Sequence, residues 1–527
     1  MAVRWSCWLA AELAAVALFA GCAGLGGDDP SHAVQVERRP PVVVVVFDEF
    51  PADSILGPDG RIDAVRYPNF AKLASLSTWF PNGYTVYDST FKAVPSILDG
   101  RLPRRRTAAD IRSHKPNVFH MMDGLGYDVF KVESASALCP PDICPDKRTR
   151  RPGVLARLAG GGRPARFHRW VGAIRRRDNP GFYFHHALMP HEPWLYLPSG
   201  RQSRPAGNDP IPGINQELSF DDPDLSLHNH LRYLLQVGYT DRLVGELLRR
   251  LERTGLLERS LLVVTADHGY SFQVGTNSRR LVRKDNVEEI APVPFFIKAP
   301  GQLDGRVDRS LVRNIDIVAT IADLLGTSVG WRQNGYSAYS RITRERRVVS
   351  LQTRDFMHTI SIELPELEAR RQRWRRHWAK VFGTGAESKV LYGDPWTRAY
   401  RIGPNPELLD RPVARLRVDA AQAGTSASVS ASVAHESLFA DVRPDGQFFP
   451  TRVTGPLRGL PPDEHLELAL AVNGRIRAVG RSFDLRRAAR EFFSLVVPER
   501  AIRRGRNRLE LFEVRPGNRL VSIYRTL

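Results

Sequence analysis

Two apolar runs, each followed by an acidic residue, constrain the fold of this chain more than any other feature. Residues 42–47 are Val-Val-Val-Val-Val-Phe and lead into Asp48, and residues 261–265 are Leu-Leu-Val-Val-Thr and lead, after one alanine, to Asp267. Such runs are typical of strands that are buried on both faces of a parallel sheet. Because ligands bind at the carboxyl ends of parallel strands, we expect Asp48 and Asp267 to lie at a binding site.

The segments between these runs have helical spacing. Residues 67–80 and 225–253 repeat apolar side chains at helical intervals, and residues 182–186 are a further apolar run. Strands that alternate with helices, with polar residues at the strand ends, predict a doubly wound α/β domain with a mixed, mostly parallel sheet.

After about residue 405, helical spacing becomes scarce and hairpin signals replace it. Asn473-Gly474 separates residues 466–472 from residues 475–479, and Pro516-Gly517-Asn518 lies between two further apolar segments. An Asn-Gly pair between strand-like segments favours a tight hairpin turn. We therefore predict a C-terminal all-β accessory domain of the β-sandwich type.

Composition sets further limits. A hydrophobic fraction of 42% is enough for a large core, and a length of 527 residues predicts two to three domains. The net charge of +19 favours anionic partners, such as a membrane surface or a cell-envelope glycopolymer. Nucleic acid is disfavoured, because no helix-turn-helix, zinc-finger or stacking-aromatic motif accompanies the charge. The oligomeric state is left open.

The first 30 residues resemble an export signal. Arg4 provides a positive start, residues 13–20 are an uninterrupted apolar run, and Glu12 disfavours a longer membrane-spanning helix. Phe19-Ala20-Gly21-Cys22 resembles a bacterial lipoprotein box, so Cys22 is the candidate for lipid attachment. Simple cleavage and an uncleaved anchor are the alternatives. We expect an extracytoplasmic protein, either membrane-associated or secreted.

Cys139 and Cys144 are the two cysteines outside this segment, and they lie in the sequence Leu-Cys-Pro-Pro-Asp-Ile-Cys-Pro. Two cysteines that close a short proline-rich loop predict a disulfide in an oxidising compartment. A pair of free thiols is the alternative. A zinc site would need more Cys or His nearby.

Residues 366–380 are dense in Arg and Trp. A helix that lies on anionic lipid is one interpretation, and a solvated surface helix is the other, which we favour. We place this segment in an Arg-rich helical connector of residues 346–405. It joins an α/β catalytic domain of residues 31–345 to an accessory domain of residues 406–527.

Asp48 and Asp267-His268-Gly269 are the candidate metal ligands. A carboxylate at the mouth of an apolar strand is unfavourable unless it is hydrated, hydrogen-bonded or bound to a cation. An adjacent Asp and His supply one oxygen and one imidazole nitrogen, which suit Zn²⁺, Mn²⁺ or a similar ion.

Residues 88–101, Asp-Ser-Thr-Phe-Lys-Ala-Val-Pro-Ser-Ile-Leu-Asp-Gly-Arg, resemble the nucleophile segment of the sulfatase family within the alkaline phosphatase superfamily. In that family the nucleophile stands ten residues before a Gly that closes a short helix, which here gives Thr90 and Gly100. The resemblance covers about residues 40–340. Four further segments are similar to family motifs in the family's order: Tyr67-Pro68-Asn69-Phe70, Met189-Pro190-His191-Glu192-Pro193, Thr265-Ala266-Asp267-His268-Gly269 and residues 314–325.

The resemblance implies that Asp48, Thr90, Asp267 and His268 surround one divalent metal ion, with Zn, Mn, Ca and Mg left open. It implies that Thr90 attacks the ester and forms a covalent intermediate. Coordination to a dication favours the alkoxide of a hydroxyl that is otherwise a weak nucleophile.

Further residues take roles from the same resemblance. His191 is expected to protonate the leaving group or to bind the ester. Lys92 and Lys284 are candidates for holding non-bridging oxygens of the substrate. His185 and His186 either support the site or mark the end of a strand.

Three departures from the family pattern bear on the chemistry. Arylsulfatases have, at the position of Thr90, a Cys or Ser that is converted to formylglycine, and they have an Arg at the position of Val94. Formylglycine chemistry is therefore disfavoured. Glu49 stands where many sulfatases have a second Asp, and whether it binds the ion is open. The middle segment offers only His191 for a second metal site, so we expect one metal.

These observations predict an exported metalloenzyme that cleaves or transfers a phosphate ester, such as a lipid headgroup or an envelope polymer. A sulfuric ester hydrolase is the first alternative. An inactive envelope protein that binds anionic glycans is the second, and it would predict a defective set of metal ligands.

Overall fold

The computed structural model describes residues 39–144, 162–204, 222–275, 279–419 and 429–526, apart from residues 444, 447, 462–463 and 486–489. The predicted export signal and Cys22 lie outside the described residues. The segment boundaries at residues 345 and 405 stay predictions.

The strands are β1 (Val42–Asp48), β2 (Thr78–Trp79), β3 (Gly83–Tyr84), β4 (Asp128–Val132), β5 (Gly181–Pro190), β6 (Leu261–Ala266), β7 (Phe295–Lys298), β8 (Arg306–Val307), β9 (Val312–Arg313), β10 (Val348–Gln352), β11 (Thr359–Glu363), β12 (Val418–Asp419), β13 (Ser430–Ala431), β14 (Arg452–Arg458), β15 (Glu467–Val472), β16 (Arg475–Arg481), β17 (Phe483–Leu485), β18 (Arg490–Val496), β19 (Leu509–Arg515) and β20 (Arg519–Arg525).

The α-helices are α1 (Pro68–Ala74), α2 (Thr90–Asp99), α3 (Val118–Gly124), α4 (Arg163–Ala173), α5 (Pro223–Arg253), α6 (Val287–Ile290), α7 (Ile317–Leu324), α8 (Arg341–Glu345), α9 (Leu364–Phe382) and α10 (Gly385–Tyr392).

A seven-stranded sheet in the order β4-β5-β1-β6-β7-β2-β8 forms the centre of the α/β part. The first four strands are parallel to one another. β7 is antiparallel to β6 and to β2, and β8 is parallel to β2. The sheet is therefore mixed and mostly parallel, as predicted.

Both faces of this sheet are covered, which explains the unbroken valine run of β1. Val43 and Val45 pack into a cluster that includes side chains of α4 and α5. Val42 and Val44 point the opposite way, into a cluster that includes side chains of α2, α3 and α7. Alternate side chains of a strand face opposite sides, so a central strand in a doubly wound sheet needs apolar residues at every position. The predicted doubly wound fold is confirmed.

Two further sheets form a β-sandwich in the C-terminal region. Its sheets have the orders β12-β20-β19-β15-β16 and β13-β14-β18-β17, and apolar side chains from both fill the space between them. The predicted hairpin turn joins β15 to β16, with positive φ of 53° at Asn473 and 75° at Gly474. Asn and Gly tolerate this backbone better than other residues do. The predicted all-β region is confirmed.

The Arg-rich segment forms helix α9, and its arginines face two ways. Arg371 and Arg375 are buried and bond to the carboxylate of Asp53, with nitrogen–oxygen distances from 2.7 to 3.2 Å. Arg373 and Arg376 are exposed. The interpretation of a solvated surface helix therefore holds for one face only, because the other face forms buried ion pairs. Among the described residues, no helix has the length and hydropathy required to cross a membrane.

Candidate active site

The ends of β1 and β6 bring the two predicted acids together. The strands pair in parallel, with Phe47 opposite Ala266. The backbone N–H of Asp267 donates to the carbonyl of Phe47 at 3.0 Å. The side chains of Asp48 and Asp267 are both fully buried. Two acids that the chain separates by more than 200 residues therefore share one end of the sheet.

Thr90 is the first residue of α2, and its side chain faces this sheet end. Its Oγ1 lies 3.3 Å from Oδ1 of Asp48 and 3.2 Å from Nε2 of His268. The helix ends at Gly100, whose φ of 70° is in the left-handed region that favours glycine. The ten-residue spacing from Thr90 to Gly100 is thus the length of this helix. The first turn of a helix offers free N–H groups, which favour a bound anion beside Thr90.

The hydrogen bonds around His268 fix its tautomer. Nδ1 lies 2.8 Å from the carbonyl oxygen of Gly269, so it must donate the proton. In the neutral ring the lone pair is then on Nε2, and it is this atom that faces Thr90. Oδ1 of Asp267 accepts hydrogen bonds from the backbone N–H groups of His268 and Glu49 at 2.6 and 3.2 Å. These bonds leave Oδ2 of Asp267 and Nε2 of His268 available to a cation.

Three buried polar atoms converge between the two strands without a hydrogen-bond partner in the described chain: Oδ2 of Asp48, Oδ2 of Asp267 and Nε2 of His186. Burial, followed by the charges of Asp267 and Glu49, raises the pKa of Asp48 well above its usual value. Burial lowers the pKa of His186 to about 4, so this ring is neutral. A divalent cation between the carboxylates would bond to these three atoms and would offset the negative charge of the two acids. The residues therefore fit a metal ion.

A cluster of charged residues lies beside this group, centred on Glu49. Its Oε1 is 3.3 Å from Nε of Arg279, 3.4 Å from Nε of Arg280 and 3.5 Å from Nε2 of His191. Arg279 also pairs with Glu192 at 2.6 Å. Asp48, Glu49 and His191 form a second group whose ligand atoms are close together. Because two arginines already neutralise Glu49, we retain the expectation of one metal.

His191 is buried at the end of β5. Its Nδ1 donates to the carbonyl of Glu192 at 2.6 Å, which leaves Nε2 facing Glu49. The guanidinium of Arg163 donates to the carbonyls of His191 and Glu192, each at 2.5 Å. These hydrogen bonds position His191 beside Glu49. The role of His191 toward the ester stays a prediction.

The predicted lysines have other surroundings. Nζ of Lys92 donates to the carbonyls of Arg104, Arg105 and Thr107 at distances from 2.6 to 3.1 Å. Lys284 is exposed, and its carbonyl accepts a bond from Arg370. Their role as substrate ligands stays a prediction.

Sequence reasoning missed three cationic side chains of the site: Arg163, Arg279 and Arg280. A local signal existed for the last two, since they follow Asp267-His268-Gly269 on the loop that leaves β6. Of the two histidines predicted either to support the site or to mark a strand end, His185 lies away from the carboxylates. Its ring packs against Phe167 and Trp170, with ring centroids 5.3 and 5.1 Å away. The chain also contains the Cys139–Cys144 disulfide.

Comparison with known proteins gives the family. The sulfatase family model matches residues 164–327. Choline-sulfatase of Rhizobium meliloti (strain 1021) is 24% identical over 361 residues, which are 55% of this chain and 68% of that protein. Human N-acetylglucosamine-6-sulfatase is 32% identical over 118 residues, 22% of this chain and 20% of that protein. The chain therefore spans about two thirds of the first relative and a fifth of the second.

Solved structures of similar proteins include the phosphonate monoester hydrolase of Agrobacterium radiobacter, with 16% identity, a TM-score of 0.43, and coverage of 63% of this chain and 83% of that chain. The choline-sulfatase match, the sulfatase family model and the five motifs in the family's order agree with one another. The chain therefore contains a sulfatase-family region at residues 164–327, and the relatives that it matches in this family are hydrolases.

Proposed function

We propose that this protein is a metal-dependent enzyme that cleaves or transfers a phosphate ester through a covalent intermediate on Thr90. The observation that carries the proposal is the position of Thr90 Oγ1, 3.3 Å from Asp48 and 3.2 Å from His268, at the start of a helix. A hydroxyl in this position has acceptors for its proton on one side and an anion-binding helix end on the other.

Asp48, Thr90, Asp267 and His268 would hold the ion. A bound divalent ion supplies Lewis acidity, which stabilises charge on oxygen. The remaining chemistry belongs to side chains of this chain. The Oγ1 atom of Thr90 forms a bond to phosphorus, and the bond between phosphorus and the leaving oxygen breaks. Water or an acceptor alcohol then takes the phosphoryl group from Thr90.

His191 is proposed to bind the ester or to donate a proton to the leaving oxygen through Nε2, the ring nitrogen that its bond to Glu192 leaves free. Donation requires the imidazolium form. Burial lowers the pKa of His191 well below its usual value, and the carboxylate of Glu49 opposes this shift only in part, so the neutral ring is better suited to binding the ester. Arg279 and Arg280 add positive charge next to the site, which favours an anionic substrate.

The substrate class follows from the nucleophile and from the charge of the chain. Thr90 replaces the Cys or Ser that gives formylglycine, which favours phosphate over sulfate. The net charge of +19 and the export-like N-terminal segment favour a substrate at an anionic cell envelope, such as a lipid headgroup or an envelope polymer. Lipidation of Cys22 and an extracytoplasmic location belong to the same proposal.

Hydrolysis of a sulfuric ester is the second candidate. It is favoured by the names of the relatives, since both choline-sulfatase and N-acetylglucosamine-6-sulfatase are sulfatases. Phosphate and sulfate esters share tetrahedral geometry and negative charge, so a site that binds one also accepts the other with little discrimination.

The test compares chromogenic phosphate monoesters, phosphodiesters and sulfate esters as substrates of the full chain. We expect one metal ion per chain and the fastest turnover on a phosphate ester. Thr90→Ala should lower kcat by at least about 10³-fold, because it removes the nucleophile. Ser96→Ala is the matched control, since Ser96 lies in the same helix and its buried hydroxyl has no partner among the described residues.

The outcomes separate the candidates. Faster turnover on sulfate esters, with the same dependence on Thr90, would support the sulfatase. No bound metal and no dependence on Thr90 would support the inactive glycan-binding protein.

A further inference from the structure

Between the two strand ends, one imidazole lies where the ion is expected but is absent from the predicted ligand set. His186 is in β5, opposite Val46 of β1 in the register of the sheet. Its Nε2 is 3.5 Å from Oδ2 of Asp48 and 3.9 Å from Oδ2 of Asp267. The three atoms belong to one group whose members all lie within 4.8 Å of one another.

We propose that His186 binds the metal ion directly through Nε2, and that this second imidazole makes the site selective for Zn²⁺ or a similar transition-metal ion over Ca²⁺ and Mg²⁺. This inference rests on the metal site proposed above. His186 is then a metal ligand rather than a supporting residue or the end of a strand.

The distances suit a common ion. Zinc binds nitrogen and oxygen ligands at roughly 2.0 to 2.2 Å, so two ligands of one ion lie no more than about 4.4 Å apart. The separations of 3.5 and 3.9 Å from His186 meet this limit. The 3.5 Å between Nε2 of His268 and Oδ2 of Asp267 also meets it. One ion can therefore be shared by Asp48, His186 and Asp267, which form the mutually close group, and His268 adjoins this group through Asp267.

The surroundings of His186 also distinguish it from an ordinary core histidine. Both of its ring nitrogens lack a hydrogen-bond partner in the part of the chain that the structure describes, and its side chain is fully buried. The carboxylate oxygens that face Nε2 lack partners as well. A buried ring that faces two unpaired carboxylate oxygens, without bonding to either, is accounted for by a cation that bonds to all three.

Selectivity follows from the type of donor atom. Ca²⁺ and Mg²⁺ prefer oxygen ligands, whereas imidazole nitrogen suits zinc, copper, iron and nickel. With His186, two imidazoles and two carboxylates face the ion, together with the hydroxyl of Thr90. With His268 alone, one imidazole would stand among oxygens, and the preference for a transition metal would be weaker.

The neighbouring His185 provides a matched control. It is on the same strand and equally buried, but it packs against Phe167 and Trp170 rather than against carboxylates. Replacement of either histidine by asparagine removes one buried imidazole from β5. A loss of stability from removing a buried imidazole should therefore appear in both variants. A loss of metal binding should appear in His186→Asn alone.

The experiment counts imidazole ligands directly. The full chain is loaded with Mn²⁺, and pulsed electron paramagnetic resonance measures the coupling of the metal to histidine nitrogen. We expect two coordinated imidazoles in the unaltered chain and in His185→Asn, and one in His186→Asn. We also expect the Zn²⁺ dissociation constant to rise at least about 100-fold in His186→Asn, since loss of a supporting group alone costs 10 to 100-fold.

The spectrum of the unaltered chain decides the matter even if a variant fails to fold. One coordinated imidazole there would overturn the inference and leave the proposed function standing. Equal Zn²⁺ affinity and an equal imidazole count in His186→Asn and His185→Asn would overturn it as well. Failure of the unaltered chain to bind Zn²⁺ or Mn²⁺ would overturn both this inference and the proposed function.

Discussion

Thr90 Oγ1 lies 3.3 Å from Oδ1 of Asp48, although 42 residues separate them in the chain. Asp48 ends the central strand and Thr90 begins the helix that packs on one face of the sheet. The bond uses one carboxylate oxygen and leaves Oδ2 without a partner among the described residues. The strand end thus provides an acceptor for the nucleophile and a free oxygen for a cation.

Glu49 is expected to pair with Arg279 and Arg280 rather than to bind the ion. Burial would raise its pKa, but His191, Arg279 and Arg280 outweigh burial and lower it, so the group is ionised. Glu49→Gln removes the charge that faces two cations. We expect it to lower the free energy of unfolding by about 3 kcal/mol, because it leaves buried charges unpaired. Metal content should remain that of the unaltered chain.

Two measurements check this expectation: denaturant unfolding and elemental analysis of the purified variant. Loss of the metal from Glu49→Gln, with the fold intact, would show instead that Glu49 is a ligand. The second group of close donors, Asp48, Glu49 and His191, would then be the site of an ion.

Asp53 is expected to be a main anchor of helix α9. Its carboxylate receives bonds from Arg371 and Arg375, and all three side chains are at most 8% exposed. Asp53→Asn should lower the free energy of unfolding by about 3–5 kcal/mol, since it breaks a buried pair on one side only. The control is Glu345→Gln, whose partner Arg341 is 88% exposed. That change should cost less than about 1 kcal/mol. Similar losses in both variants would refute the assignment.

Local sequence was sufficient to predict the central strands β1, β5 and β6 and the hairpin of β15 and β16, for physical reasons. A central strand with helices on both faces needs an unbroken apolar run, and β1 has one. A two-residue hairpin needs positive φ at both turn positions, and Asn473-Gly474 satisfies it. The position of Thr90 beside Asp48 and His268 followed from a family resemblance rather than from periodicity.

The arginine cluster and the place of His186 could not be predicted in this way. Arg163, Glu49 and Arg279 come from three separate segments, and no periodicity fixes the path of the loops that bring them together. His186 lies in a strand that is buried throughout, so its sequence position does not show that two unpaired carboxylates face it. Both features depend on tertiary packing.

Glu289 is expected to make stability depend on pH. Burial raises its pKa from 4.5 to about 7, and its Oε2 accepts a bond from the backbone of Phe272 at 3.0 Å. Because the folded pKa exceeds the unfolded value, the folded chain holds the proton more tightly. The contribution of this group is complete below pH 4.5 and is lost as the pH rises through about 7.

The measurement compares the unaltered chain with Glu289→Gln, whose amide does not titrate. Between pH 4.5 and pH 8, the free energy of unfolding of the unaltered chain should fall by about 3 kcal/mol relative to that of Glu289→Gln. A difference that stays constant over this range would contradict the assignment.

Removal of the metal is expected to destabilise the fold. Without a cation, the buried carboxylates of Asp48 and Asp267 repel each other. Zn²⁺ at 100 times its dissociation constant should add about 2.7 kcal/mol to the free energy of unfolding, and a chelator should reverse the gain. Asp267→Asn should abolish the response. A melting temperature that changes neither with Zn²⁺ nor with the chelator would contradict the proposed metal site.

The most direct test of the central claim is to trap the covalent intermediate. The full chain is mixed with a phosphate ester that it turns over and is quenched in acid within one turnover, and its peptides are then mapped by mass spectrometry. We predict a phosphoryl group on Thr90, absent from Thr90→Ala and present in Ser96→Ala. Turnover of the ester without any adduct on Thr90, together with full activity of Thr90→Ala, would contradict the account.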